Sequence, residues 1–234
     1  MTSFQTFFIA FTFLVPLGLW QVNRRLKSER FDRVASRTMA LVLILTYGCD
    51  LSLSIIQGRF APHLTLPMQL CDWALFAVAA ALWFGSQTGF ELGYFWGLAG
   101  TLQALFTPAL DAGVGFWRLL GFFTAHAVIV AGVLYLMLAR GFRPWPRSSL
   151  RVVIWSEVFL GTALAVNALT GGNYGFLSEK PPVRSMLDLF AEPGWIYWVQ
   201  LNLTAFAFFA VLYAPWFVYD RLNGQRSVSP TLPA

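Results

Sequence analysis

A thiol, an imidazole and two carboxylates are the side chains in this sequence best suited to covalent chemistry. Cys71 is followed directly by Asp72, and both lie in an apolar stretch, as do Asp50 and His126 in two others. A thiol attacks an ester carbonyl when a nearby base removes its proton, and a carboxylate can orient an imidazole that acts as this base. Cys71, His126, Asp72 and Asp50 are therefore the candidate catalytic residues, and nucleophilic chemistry by a thiol is one use that their types allow.

Each of these residues also has a structural interpretation. A lone cysteine in an apolar helix usually behaves as a small apolar residue, and a buried histidine is often a hydrogen-bonded structural group. Asp72 follows Gln69 by three residues, so the two side chains could simply pair across one helical turn. The residue types alone leave the catalytic and the structural roles open.

Several amides and one lysine are candidates for binding a substrate. Gln103 and Asn202 lie in apolar stretches, where an amide can donate to a developing oxyanion or link two helices. Lys180 lies in a polar connection, where it could meet a lipid phosphate or pair with Glu179 or Asp188. The predicted substrate-binding residues are Gln69, Gln103, Asn173, Tyr174, Asn202 and Lys180.

The composition identifies the solvent in which these groups must work. Of 234 residues, 57% are hydrophobic and only 12% are charged, and the mean hydropathy is +0.61. A soluble domain has roughly a quarter charged residues, so this chain cannot cover a water-facing surface. This excludes an ordinary soluble enzyme, a disordered chain and a nucleic-acid-binding module. With no CxxC motif and two distant histidines, no metal or other cofactor is predicted.

Seven apolar stretches are long enough to cross a bilayer as helices, which needs about 20 residues each. They predict an all-α, polytopic membrane helix bundle that forms a single domain over 1–234. The predicted spans are 4–20, 38–56, 66–84, 92–109, 117–139, 150–169 and 195–219.

The basic residues predict the orientation of these spans. Twelve of the 16 Lys and Arg residues fall on one side of the predicted topology and four on the other. Cytoplasmic loops carry the excess of positive charge, so the N-terminus is expected outside and the tail 220–234 in the cytoplasm. The expected location is a bacterial cytoplasmic membrane. The twelve are Arg24, Arg25, Lys27, Arg30, Arg33, Arg37, Arg140, Arg143, Arg147, Arg151, Arg221 and Arg226.

Most polar residues of the spans fall at one depth. Counted at about 1.5 Å per residue, six of the seven predicted spans place a polar side chain in the outer half of the membrane. Polar groups in a span usually face the bundle interior or a cavity. We therefore predict a polar cavity that opens outward, with Asp50, Cys71, Asp72 and His126 around it.

Four segments carry a resemblance to a known family. Residues 66–72 look like the "LP-x-[HQ]-LC" motif of YwaF-type integral membrane proteins, and further similarity lies at 94–105, around His126, and at 173–182. The resemblance covers about residues 38–219. Many of these relatives have histidine where this chain has Gln69, so a second histidine is missing here.

The resemblance implies a lipid substrate. The YwaF-type proteins look related to eukaryotic transmembrane protein 164, a phospholipid acyltransferase with a cysteine active centre. They are also similar in outline to membrane hydrolases of fatty-acid esters that use a threonine and a histidine. The resemblance thus implies that Cys71 is the nucleophile and His126 the base.

Two classes of function follow. The first is a lipid acyltransferase or ester hydrolase that uses a Cys/His pair. The alternative is a non-catalytic lipid or small-solute binding protein or transporter, in which Asp50 or Asp72 pairs with a cation or moves a proton. The expected partners are membrane lipids, as environment and as possible substrate, and no nucleic acid. The sequence makes no prediction of oligomeric state.

Overall fold

A computed structural model describes residues 2–110 and 114–223 of the chain, and the described part is helical and contains no strand. One π turn, Gly97–Thr101, joins α5 to α6, and two 3-10 turns, Tyr174–Phe176 and Met186–Leu189, lie between α8 and α9. The α-helices are α1 Ser3–Leu26, α2 Glu29–Ile56, α3 Pro62–Thr65, α4 Leu70–Phe84, α5 Gln87–Trp96, α6 Leu102–Phe106, α7 Phe116–Arg140, α8 Ser148–Thr170 and α9 Trp195–Leu222.

The prediction of a membrane helix bundle is confirmed at the level of class. Five of the described helices are long and apolar enough to cross a membrane: α1, α2, α7, α8 and α9. The third predicted span becomes the 15-residue α4, and the fourth becomes α5, the π turn and α6 in sequence. The predicted tail continues α9 as far as Leu222, and residues 224–234 lie outside the described part.

Two predicted boundaries differ from the structure. The third span was expected to start at residue 66, but α4 starts at Leu70 because the chain before it turns at Pro67. The basic segment after the first span was expected to be a loop. It is helical except at Lys27, whose φ of 47° ends α1, and Ser28, whose hydroxyl accepts from Phe31 N–H and caps α2.

Contacts between helices fix the direction of each one. Arg37 of α2 lies over the Trp83 ring of α4, and Tyr47 packs against Phe76, so these two helices are antiparallel. Phe4 and Phe8 of α1 pack on Phe123 near the start of α7, so α1 and α7 are parallel. The segments therefore alternate between two ends of the bundle. We call the end where α1, α4, α7 and α9 finish the arginine end, and the opposite one the loop end.

Helix α5 forms the centre of the bundle. All eight residues from Gly89 to Trp96 are buried. Gly93 allows this packing, because a Cβ built there would lie 2.3 Å from Val78 Cγ2 of α4 and 3.3 Å from Val133 Cγ2 of α7. The absence of a side chain at Gly93 thus lets α4 and α7 approach α5 from two sides.

Replacing Gly93 by alanine is expected to destabilise the bundle by about 1–3 kcal/mol. Val78 cannot swing away from the new methyl group, because valine in a helix has one strongly preferred χ1 rotamer. The control is Gly161→Ala, since a Cβ there meets no atom within 4 Å and alanine is the better helix former. Thermal unfolding in detergent should show a lower melting temperature for Gly93→Ala only. Equal melting temperatures would contradict the packing described.

Ion pairs hold the helices together at the arginine end. Glu91 of α5 is fully buried and accepts two hydrogen bonds from Arg151 of α8, at 2.5 and 2.8 Å. Asp32 of α2 accepts from Arg140 of α7 at 2.8 Å, and Arg143 pairs with Asp220 of α9. These arginines, which the sequence suggested only as determinants of orientation, therefore also link helices.

Candidate functional site

Cys71 lies at the start of α4, on the loop end of the bundle. Gln69 is the N-cap, so Cys71 is the second helical residue, and it is partly exposed. The backbone N–H groups of Leu70 and Cys71 have no hydrogen-bond partner within the described chain, as is usual for the first turn of a helix. Cys71 therefore belongs to a helical turn with two backbone donors that can hold an anion.

His126 lies in α7 with 6% of its surface exposed. Its Nδ1 is 2.7 Å from the carbonyl oxygen of Phe122, and the two rings lie with centroids 4.0 Å apart. A carbonyl oxygen can only accept, so Nδ1 carries the proton of the neutral ring. Nε2 is then left with a free lone pair, which is the state a general base requires.

The faces of α4 and α7 that carry these two residues converge on α5 and the π turn. Val78 and Val133 meet at Gly93, Ile129 packs at Gly97, and Leu70 lies 3.9 Å from a Cβ built at Gly100. Cys71 and His126 are each seven residues before a valine of this junction. Seven residues are two helical turns, or about 10 Å, so both side chains are at a similar depth beside the π turn.

The described side chains include no hydrogen bond between the Cys71 thiol and the His126 ring. Proton transfer between them requires a closer approach or one bridging water, and catalytic hydrogen bonds are often long before substrate binds. The structure therefore places the predicted pair at one depth on converging faces without joining the two residues.

The two predicted carboxylates have different surroundings. Asp72 Oδ2 accepts from the Gln69 backbone N–H at 3.0 Å, which closes the first turn of α4. Asp72 therefore pairs with Gln69, as its structural interpretation predicted, but with the backbone of Gln69 and not its side chain. Asp50 is exposed on α2, one turn beyond Tyr47, which packs on Phe76 and so brings Asp50 near the level of Asp72. The Phe122 carbonyl, and neither carboxylate, orients His126.

Tyr174 ties the connection between α8 and α9 to the segment that leads into α4. Its hydroxyl oxygen accepts from Leu66 N–H at 2.9 Å, and its O–H donates to the Pro62 carbonyl at 2.6 Å. Asn167 of α8 holds the Tyr174 backbone through both amide atoms, at 2.8 and 3.0 Å. Burial raises the pKa of the Tyr174 phenol, so the hydroxyl stays a neutral donor.

Gln69 and Asn173 support the same connection. Gln69 Oε1 accepts from Gly175 N–H at 3.0 Å, and Asn173 Oδ1 accepts from the N–H groups of Ser178 and Glu179. The sequence suggested these side chains as ligands of a substrate, but in the structure Gln69 Oε1 and both amide atoms of Asn173 hold the connection between α8 and α9. The signal that could have revealed this role is the glycine-rich composition of 171–175, typical of a tight turn that needs side-chain support.

The remaining predicted binding residues are dispersed. Gln103 is exposed on the surface of α6. Asn202 donates to the Trp198 carbonyl one turn back at 3.2 Å. Lys180 Nζ contacts the Phe190 carbonyl at 2.9 Å and Glu192 at 3.2 Å, so its acidic partner is Glu192 in place of Glu179 or Asp188. Within residues 2–110 and 114–223, no three His, Cys, Asp or Glu side chains group as metal ligands.

Replacing Tyr174 by phenylalanine is expected to lower stability by about 1–3 kcal/mol, because Leu66 N–H and the Pro62 carbonyl lose their buried partner. The control is Tyr213→Phe, whose hydroxyl makes no hydrogen bond among the described residues. Limited proteolysis of the connection between α8 and α9, followed with temperature, measures the effect. Equal protection of the two variants would refute the bridging role of Tyr174.

The long apolar helices and the buried helical core define an all-helical, multi-pass integral membrane protein. The sequence profile of the TMEM164 family matches residues 1–213 of this chain. The chain therefore belongs to that family. This match supports membership of the TMEM164 family but not the narrower YwaF-type assignment. Neither curated proteins nor solved structures gave a match to this chain.

Proposed function

We propose that the protein crosses the membrane seven times, with the N-terminus and the loop end outside and the arginine end in the cytoplasm. Five spans are the long helices, and the other two are α4 and the composite α5–α6 segment. These two segments run in alternating directions through the bundle, as successive spans must. The excess of arginine at one end supports this orientation in a bacterial cytoplasmic membrane. Cys71 then lies in the outer half of the membrane, within reach of lipid ester groups.

We further propose that the protein is a lipid acyltransferase or ester hydrolase with Cys71 as nucleophile and His126 as base. The observation that carries this proposal is the position of Cys71 in the first turn of α4, beside free backbone N–H groups and at the depth of a histidine whose Nε2 is free to accept a proton. Membership of a membrane family is compatible with a lipid substrate.

The reaction proceeds in two halves. Cys71 Sγ attacks the carbonyl carbon of a lipid ester while its proton passes to His126 Nε2, directly or through one water. The C–O bond breaks, the leaving alcohol takes the proton from His126, and a thioester remains on Cys71. Water or the hydroxyl of a second lipid then attacks the thioester carbonyl carbon and loses its proton to His126. The C–S bond breaks, the fatty acid or new ester leaves, and Cys71 Sγ takes the proton back from His126.

The first turn of α4 supplies the stabilisation that this reaction needs. The N–H groups of Leu70 and Cys71 can donate to the oxyanion of the tetrahedral intermediate, a role that the sequence assigned to Gln103 or Asn202. Proton removal by the base accompanies attack, as a thiol that attacks an ester requires. The roles of Asp72 and the loop around Tyr174 are then to position Cys71.

The test is turnover of phospholipid by the purified full chain in vesicles, followed by mass spectrometry of free fatty acids and transferred acyl chains. We expect Cys71→Ala to abolish turnover. The matched control is Cys49→Ala, since Cys49 is the second cysteine and is exposed on α2. Full activity of Cys71→Ala would reject the mechanism. Headgroup or solute movement that needs Asp50 but not Cys71 would instead support a transporter.

A further inference from the structure

An apolar groove lies between α2 and α4 on the outer surface of the bundle, away from Cys71. Its volume is about 300 Å³. Its eight lining residues are all apolar and include three alanines, Ala40, Ala79 and Ala80, and the larger Ile44, Phe76 and Trp83.

The helical spacing of these residues creates the groove. Ala79 and Ala80 of α4 lie between Phe76 and Trp83 on one face, and Ala40 faces them from α2. Small side chains between large ones leave a channel along the helix pair. Toward the loop end, the Tyr47 ring packs against the ring of Phe76 with centroids 5.2 Å apart. Tyr47 is about 15 Å along α2 from Arg37.

A cation lies next to the opposite end of the groove, over the ring of Trp83, which lines the groove. The Arg37 guanidinium lies 5.2 Å from the centre of the Trp83 ring and is exposed. Among the described residues, no carboxylate lies within 4 Å of Arg37, because the acids of the same helix end pair elsewhere, Glu29 with Arg33 and Asp32 with Arg140. Stacking on Trp83 fixes one face of the guanidinium and leaves its edge free for a phosphate.

We propose that this groove is a binding site for an anionic phospholipid, with one acyl chain along the alanine floor and the phosphate on Arg37. The apolar lining matches an acyl chain, and the unpaired guanidinium matches the net negative headgroup. A zwitterionic lipid offers the same chain but no net charge, so the site discriminates by headgroup.

A second arginine at the arginine end, Arg24, can be compared with Arg37. Arg24 lies over the Trp20 ring at 5.7 Å, but Trp20 does not line the groove. An arginine on a tryptophan at a membrane interface is by itself only an anchor. The groove is the feature that distinguishes Arg37 from Arg24.

This inference is independent of the proposed catalysis. Ala80 is nine residues from Cys71 along α4, about 13 Å toward the arginine end. Loss of lipid binding in the groove need not change turnover, and an inactive Cys71 variant should retain the lipid. Experiments can therefore reject the lipid site without rejecting the catalytic mechanism, and the reverse.

Native mass spectrometry of the purified full chain, titrated in detergent with phosphatidylglycerol or phosphatidylcholine, tests the site. We expect one phosphatidylglycerol to bind more tightly than phosphatidylcholine. Arg37→Gln should weaken phosphatidylglycerol binding about fivefold and leave phosphatidylcholine unchanged. Ala80→Phe, or Ala80→Leu if the larger side chain impairs folding, should remove the bound lipid by filling the groove.

The controls are Arg24→Gln and Ala207→Phe, the latter on the exposed surface of α9. Both should bind phosphatidylglycerol as the wild type does. Equal affinity of the wild type for the two lipids, or equal losses from Arg37→Gln and Arg24→Gln, would overturn the proposal. So would a dimer that Ala80→Phe converts to monomer with lipid binding intact, since the groove would then be an interface between two copies.

Discussion

Substituting glutamine for His126 is expected to lower lipid-ester turnover by roughly 10²–10⁴-fold, the usual contribution of a general base. Glutamine can still donate to the Phe122 carbonyl that now holds Nδ1, so the helix and its packing should persist. It cannot accept a proton from a thiol. The loss should therefore appear in turnover, with the melting temperature in detergent nearly unchanged.

His63 provides the matched control, because the sequence contains only two histidines. His63 is exposed in α3 at the loop end, and His63→Gln should keep wild-type turnover. Equal losses from both substitutions would indicate a general effect of histidine loss. Wild-type turnover in His126→Gln would remove His126 from the mechanism.

Replacing Arg151 by glutamine is expected to be the most destabilising change at the arginine end. The Glu91 side chain is 0% exposed. Among the residues that the structure describes, Gln87 would then be its only side-chain donor. Removing one partner of a buried ion pair costs about 3–5 kcal/mol, and we expect about 2–4 kcal/mol here because the Arg151 side chain is 43% exposed. The melting temperature should fall by roughly 5–15 °C.

A double-mutant cycle separates the interaction energy of Glu91 and Arg151 from the effect of each single substitution. Adding Glu91→Gln to Arg151→Gln removes the unpaired buried charge and should recover part of the lost stability. Arg33→Gln is the control, because the Arg33–Glu29 pair is exposed and should contribute less than about 1 kcal/mol. A double variant no more stable than Arg151→Gln would show that the ion pair is not the source of the loss.

The helices were predictable because a 20-residue apolar run has few alternatives in a membrane. The start of α4 was not, since the run continues through Leu66 and Pro67 while the backbone turns there to meet Tyr174. The π turn Gly97–Thr101 was also not predictable, because no local pattern in the sequence indicates it.

The candidate site was predictable only in part. A polar side chain in a span indicates that it has a partner but does not identify it. Depth counting placed Cys71 and His126 at one level, yet it could not show that a backbone carbonyl, and not Asp50 or Asp72, orients His126. The roles of Gln69 and Tyr174 depend on contacts with residues about 100 positions away, which one sequence does not reveal.

The acyl-enzyme is the intermediate that separates this mechanism from every alternative. Intact-protein mass spectrometry after rapid mixing with phospholipid, with peptide mapping before and after hydroxylamine, detects it directly. We predict an acyl group on Cys71 that hydroxylamine removes, that is absent in Cys71→Ala and that persists in Cys49→Ala. Lipid turnover with no acyl group on Cys71, or undiminished turnover by Cys71→Ala, would contradict the account.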